Sequence, residues 1–202
     1  MTVIKAGKIG ALSGKMGNVV VVSRGSTTYL RSLPNYSMDS WTPKQALSRK
    51  RFSIVTQFCK LYKRDLIVPI WNLLPGEVCG YSLFLGANIK AFDSLGKIRD
   101  YAMLRFSEGS LEPPAHIGAA KQGGEVSLSW VNDPNVAGSR LMDVLLYMAL
   151  VDDKVSGPFP TQLTRGSQGG GVTLADPLAS ALYLFFATPD RKAFSPDKFV
   201  SV

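Results

Sequence analysis

From about Tyr101 to the C-terminus, the chain is a succession of strand-length apolar runs with Gly, Pro and Asp turns between them and no helical period. The runs cover residues 103–106, 126–130, 141–151, 162–165, 172–174, 182–187 and 199–202. Strands at this spacing, with no helix between them, predict an antiparallel β-sandwich. Nineteen Gly and twelve Pro in 202 residues favour the many turns such a fold needs. Hydrophobic residues make up 46% and charged residues 19%, which excludes wholesale disorder. A chain of this length can bury a core without disulfides or metals.

The N-terminal half reads differently. Residues 18–23 and 26–33 look like two strands joined by Arg24-Gly25, a hairpin too small to be stable alone. Thr42-Pro43-Lys44-Gln45 then forms a capping box, with Thr at N-cap, Pro at N1 and Gln at N3. Beyond it, Leu47, Phe52, Val55, Phe58, Cys59, Tyr62 and Leu66 share one arc of a helix, to be ended or kinked by Pro69. Arg51 is the one charge inside that arc, so it must snorkel, cap a helix or find a carboxylate. A shorter helix over 77–92 places Tyr81, Phe84, Leu85, Asn88 and Phe92 at helical spacing, antiparallel to the first after the Pro75-Gly76 turn. The expected fold is therefore α+β, with a basic hairpin-plus-helices module over residues 1–100 and the sandwich over 101–202.

Charge is divided unevenly along the chain. Residues 1–64 hold twelve Lys/Arg against Asp39 alone, a net +11, while residues 65–202 hold eleven against fourteen acidic residues, a net −3. A segment so basic expects an anionic partner, which nucleic acid, a membrane surface or an acidic face of another copy could each supply. Arg49, Lys50, Lys60, Lys63 and Arg64 lie opposite the apolar arc as a candidate polyanion contact. The simpler reading is that they solvate the helix, since no helix-turn-helix or base-stacking motif accompanies them.

Little in the sequence points to an enzyme. His116 is the sole histidine, placed in a Pro-rich loop, and no Gly-x-Ser-x-Gly elbow exists for it to serve. Asp143, Asp152 and Asp153 read as solvated strand ends rather than an acid–base pair. Gly7-Lys8-Ile9-Gly10, Gly14-Lys15 and Gly169-Gly170-Gly171 lack the strand-to-helix context of a nucleotide loop. Cys59 and Cys79 have no zinc-type spacing and read as reduced thiols. No catalytic residue, cofactor or metal site is expected. No signal-peptide h-region or apolar span of membrane length is present, so the chain is expected to be made in the cytoplasm with no obvious signal-peptide route out.

Two resemblances add to this reading. Glu125 to Trp130, Ser180 to Ala187 and Ser195 to Val202 resemble the second, penultimate and closing strands of a fibronectin type III or immunoglobulin-like domain. That likeness implies a Trp130 anchor packed between the sheets against Tyr183, and no particular function. The N-terminal half, through Gly14-Lys15-Met16-Gly17-Asn18-Val19-Val20, Tyr29-Leu30-Arg31-Ser32-Leu33-Pro34 and Thr42-Pro43-Lys44-Gln45 followed by Arg49 and Phe52, is similar to an uncharacterised family of bacterial and prophage-encoded proteins. The resemblance implies a mobile-element setting and a structural or interaction subunit of a larger assembly, foremost a phage virion. Its partners would be other protein subunits or further copies of itself. A basic nucleic-acid-associated protein is the alternative, and a surface or carbohydrate-binding module the third. Within residues 1–33 the charge-free run Val19-Val20-Val21-Val22 expects its sheet edges to be paired. Another chain could supply those edges, making the segment the assembly element, or strands of the same chain could.

Overall fold

A computed structural model describes residues 2–5, 13–24, 27–35 and 41–202. The chain divides into two compact units, Met1–Pro43 and Lys44–Val202. This division does not coincide with the change of period near Tyr101. The reason is a shared core: the helices and the C-terminal sheets bury their apolar faces against each other.

The first unit is a four-stranded antiparallel sheet in the order β1-β4-β3-β2, from β1 (Thr2–Lys5), β2 (Gly14–Met16), β3 (Val19–Arg24) and β4 (Thr27–Ser32). The expected hairpin is β3–β4, in register from Val19↔Ser32 to Arg24↔Thr27. Of the expected turn Arg24-Gly25, Arg24 ends β3 and Gly25 lies outside the described residues. Both hairpin edges are taken by the same chain, since β1 pairs with β4 and β2 with β3. Of the two ways to pair the Val19–Val22 hairpin's edges, by another chain or by strands of the same chain, the second is the one present.

In the second unit, α1 (Pro43–Leu61) begins where the capping box places it, with Pro at the first helical position. It gives way before Pro69 to a single π turn, Lys63–Ile67, in which Ile67 N–H reaches back to Tyr62 O at 3.0 Å. A short 3-10 turn, Trp71–Leu73, leads to α2 (Gly80–Asn88). Arg51 donates to Ile89 O and Tyr81 Oη–H donates to Thr56 O, so the two helices run in opposite senses. Arg51 thus caps the end of α2, one of the roles its place in an apolar arc demands.

The arc itself is buried only in its second half. Val55, Cys59, Tyr62 and Leu66 are in the core, but Leu47 and Phe52 are exposed, as is every residue from 43 to 50. Length explains this: nineteen helical residues span about 29 Å and nine span about 14 Å, so α1 overshoots the helix it packs on.

The remaining chain forms two antiparallel sheets. β7 (Val144–Val151), β8 (Lys154–Thr164), β10 (Ala181–Ala187) and β11 (Lys198–Ser201) make one in the order β11-β10-β7-β8, while β5 (Ala115–Gln122), β6 (Glu125–Val131) and β9 (Gly169–Thr173) make the other in the order β5-β6-β9. The fold is mixed α+β and rich in β. Of the expected strands, the run at 103–106 is absent: residues 101–103 form a 3-10 turn and the rest is extended without a strand partner. Leu104 and Phe106 are buried, which gave the segment its strand-like alternation. Its backbone is instead satisfied by side chains: Arg105 N–H donates to Asn88 Oδ1, and Phe106 and Ser107 N–H donate to Asp197 Oδ1 at 2.9 and 3.0 Å.

Strand β10 is buried at all seven positions, and β7 at its six inner ones. Alternation sorts their side chains into two cores. Leu146, Met148, Tyr183 and Phe185 face the helices with Phe84 and Phe106, whereas Leu145, Tyr147, Leu182, Leu184 and Phe186 face Val126, Leu128 and Trp130 of β6. Trp130 is buried as expected, but its partner is Phe186, ring centroids 5.7 Å apart and edge-on. Tyr183 points the other way, stacking edge-on against Phe106 at 4.6 Å and donating from its hydroxyl to Tyr101 O. Strand positions an odd number of residues apart face opposite ways, so Tyr183 and Phe186 must part.

Candidate functional site

Two surfaces stand out. The first is the basic side of α1 and the turn after it. Arg49, Lys50, Lys60, Lys63 and Arg64 are all exposed, held outward because Val55, Cys59, Tyr62 and Leu66 fix the opposite side in the core. Lys60 follows Arg49 by eleven positions, about three helical turns, which sets those two on one line. Among the described residues the ion pairs join Arg105 to Asp197, Arg165 to Asp143 and Lys192 to Asp190, and none involves Lys50, Lys60, Lys63 or Arg64. The five residues singled out by the sequence therefore share one accessible face.

Sequence reasoning missed what lies beside them. Where α1 overshoots α2, an open cleft of about 890 Å³ is lined by Ser48, Arg49, Lys50, Phe52, Thr56 and Ile89 among others. Phe52, expected in the core, is 51% exposed here. Arg51 crosses the cleft to Ile89 O, yet its Nε and the neighbouring Thr56 Oγ1 are buried with no hydrogen-bond partner.

The second surface is the N-terminal sheet. Register places Lys15, Val20, Val22, Tyr29 and Arg31 on one face, and Met16, Val19, Val21 and Leu30 on the other. Among residues 13–23 and 27–35 none is buried; Val20, Val21, Val22, Tyr29 and Leu30 reach only half-burial, and Met16 is 69% exposed.

The other candidates fall into structural roles. Asp143 is not a solvated strand end: it and Arg165 are both about 1% exposed and pair at 3.4 Å. Burial outweighs their attraction, pushing the Asp143 carboxyl above its ordinary range and the Arg165 guanidinium below its own. Arg165 also donates to Glu112 O and lies 4.1 Å over the Phe186 ring, so it pins three segments to the second core. Asp152 and Asp153 form the exposed two-residue turn between β7 and β8, with φ of +43° and +63°. His116 lies in β5 rather than a loop, exposed, at the register shift between Ala115 and Gly118. Gly169 and Gly170 open strand β9; a Cβ on Gly169 would meet Leu128 O at 2.6 Å, so the glycines answer to close strand packing. Gly7-Lys8-Ile9-Gly10 lies outside the described residues. Cys59 is buried, its thiol pushed up to about 11 by desolvation, and Cys79 is exposed; both are free thiols.

Among the described residues no group of three or more His, Cys, Asp or Glu is placed to hold a metal ion, and no helix is long and apolar enough to cross a membrane. No protein-family profile matches the chain, and no curated protein matches it in sequence.

Proposed function

We propose that the chain is a non-enzymatic structural or interaction subunit of a larger assembly, joined to its neighbours through the Met1–Pro43 sheet. One observation carries this reading: a four-stranded sheet with apolar residues on both faces of its central hairpin and no buried residue among 13–23 and 27–35. A unit of this size has too little core to hold its strands by itself, and three or more strands need a covered hydrophobic face. Another subunit would supply that cover. The edges of the central hairpin are already paired within the chain, so the contact is through the faces of the sheet. The resemblance of the N-terminal half to prophage-encoded proteins makes a phage virion the leading assembly.

We also read the β5-β6-β9 and β11-β10-β7-β8 sheets as a fibronectin type III or immunoglobulin-like sandwich. The facing arrangement across Trp130 and the pairing of the closing strand β11 with β10 support it. The helices covering the outer face of the larger sheet are a departure from that pattern.

Mass measurement in solution tests the assembly role. Removing Met1–Pro43 leaves both cores of the second unit intact. The full chain is expected to be multimeric and the shortened one a folded monomer; a shortened protein that keeps the full-length subunit number would defeat the reading.

A further inference from the structure

The cleft beside the first half of α1 combines two features that a solvated helix does not need together. Positive charge is concentrated at its rim, from Arg49 and Lys50, and continues along the helix at Lys60 and Arg64. An aromatic ring, Phe52, stands 51% exposed within it, although an apolar arc would normally carry it inward.

We propose that this cleft binds single-stranded nucleic acid, with backbone phosphates against Arg49, Lys50 and Arg51 and one base stacked on Phe52. Charge alone would suit any polyanion, but the exposed ring favours a nucleobase, because every base has a π-face to lay on it. A duplex keeps its bases stacked inward and cannot use Phe52, so the single strand is the better fit. The remaining cations, Lys60, Lys63 and Arg64, extend the positive track along the helix axis. This inference is independent of the assembly role: it concerns a different unit of the chain and is read by a different measurement.

Fluorescence anisotropy of the full-length protein with a labelled oligothymidylate, across a salt series, tests it. Lys50→Gln combined with Lys60→Gln is expected to weaken binding and make the salt dependence shallower by about one to two units of slope. Phe52→Leu keeps an apolar residue at this exposed position but lacks the ring; it should cost roughly tenfold in affinity with the salt slope unchanged, and Phe52→Trp should restore binding. Thermal melts of each variant establish that the fold is kept. Three results would overturn the proposal: no binding at low salt, Phe52→Leu binding as well as the parent, or polyglutamate binding as tightly as the oligonucleotide. The last would assign the cleft to an acidic protein segment instead.

Discussion

Two four-stranded antiparallel sheets in this chain are built from similar residues and have opposite fates. In β11-β10-β7-β8 the run Ala181-Leu182-Tyr183-Leu184-Phe185-Phe186-Ala187 is buried at every position, between helices on one face and a second sheet on the other. In β1-β4-β3-β2 the run Val19-Val20-Val21-Val22 has no buried position, although it too is continuous and uncharged. A continuous apolar run states that a strand has two faces to bury. It does not state what will cover them. The C-terminal unit supplies both covers from its own residues, and the central hairpin of the N-terminal unit has no buried residue among 19–23 and 27–32, which is the ground for the proposed assembly role of that end.

If the C-terminal unit stands by its own two cores, damage there should be severe. Trp130→Ala removes the edge-on contact with Phe186 and the bond from Trp130 Nε1–H to Arg165 O; it should cost roughly 3–5 kcal/mol in denaturant unfolding. A loss under about 1 kcal/mol would show that Trp130 does not anchor the facing sheets.

The Asp143–Arg165 pair sharpens the same point about what one core tolerates. Arg165→Met alone strands a buried carboxylate and should cost about 3–5 kcal/mol at neutral pH. Adding Asp143→Leu should recover most of that loss, because the pair's desolvation cost vanishes with both charges. A double variant no more stable than Arg165→Met would mean that the bonds of Arg165 to Glu112 O and Phe186, not the ion pair, hold the region.

Asp197 gives a pH test confined to the C-terminal unit. Its carboxyl is fully buried, its Oδ2 lacks a hydrogen-bond partner, and desolvation pushes it up to about 6 from 3.8. The folded state therefore holds a proton that the unfolded state releases, and this group's contribution is fully present below about pH 4 and lost as pH rises to about 6. The two-unit difference corresponds to about 3 kcal/mol. Asp197→Asn can still accept from Phe106 and Ser107 N–H, so it should flatten stability between those pH values and leave neutral-pH stability equal or higher. An unchanged slope would show that other groups set the acid response.

The smallest stability effect belongs at the other end of the comparison. Tyr29→Asp, on a half-covered sheet face, should change the melting of the second unit by no more than about 0.5 kcal/mol while lowering the subunit number of the full chain. A large drop in core stability without a change in mass would place that face against the chain's own core rather than against a neighbour.

The sequence by itself determined the local elements that rest on local physics. Thr42-Pro43 set the start of α1, the β3–β4 hairpin followed from alternation and a Gly turn, and β6, β7, β9, β10 and β11 lay where β-prone runs and turn residues put them. Strand β5 escaped because Ala115-His116-Ile117-Gly118-Ala119-Ala120 has neither strong alternation nor bulky side chains. The segment at 103–106 misled because two buried residues at alternate positions look like a strand whether or not a ladder forms. The exposed basic residues of α1 were legible in full, since a helix's polar side follows from its period. Tertiary structure alone decided which faces found partners: that Tyr183 and Phe186 part between two cores, that Asp143 is buried with Arg165, and that Phe52 emerges into a basic cleft. All three depend on distances between segments far apart in sequence. Residue pattern gives a side chain's direction on its own element; only the length and placement of the neighbouring element decides whether anything is there to meet it.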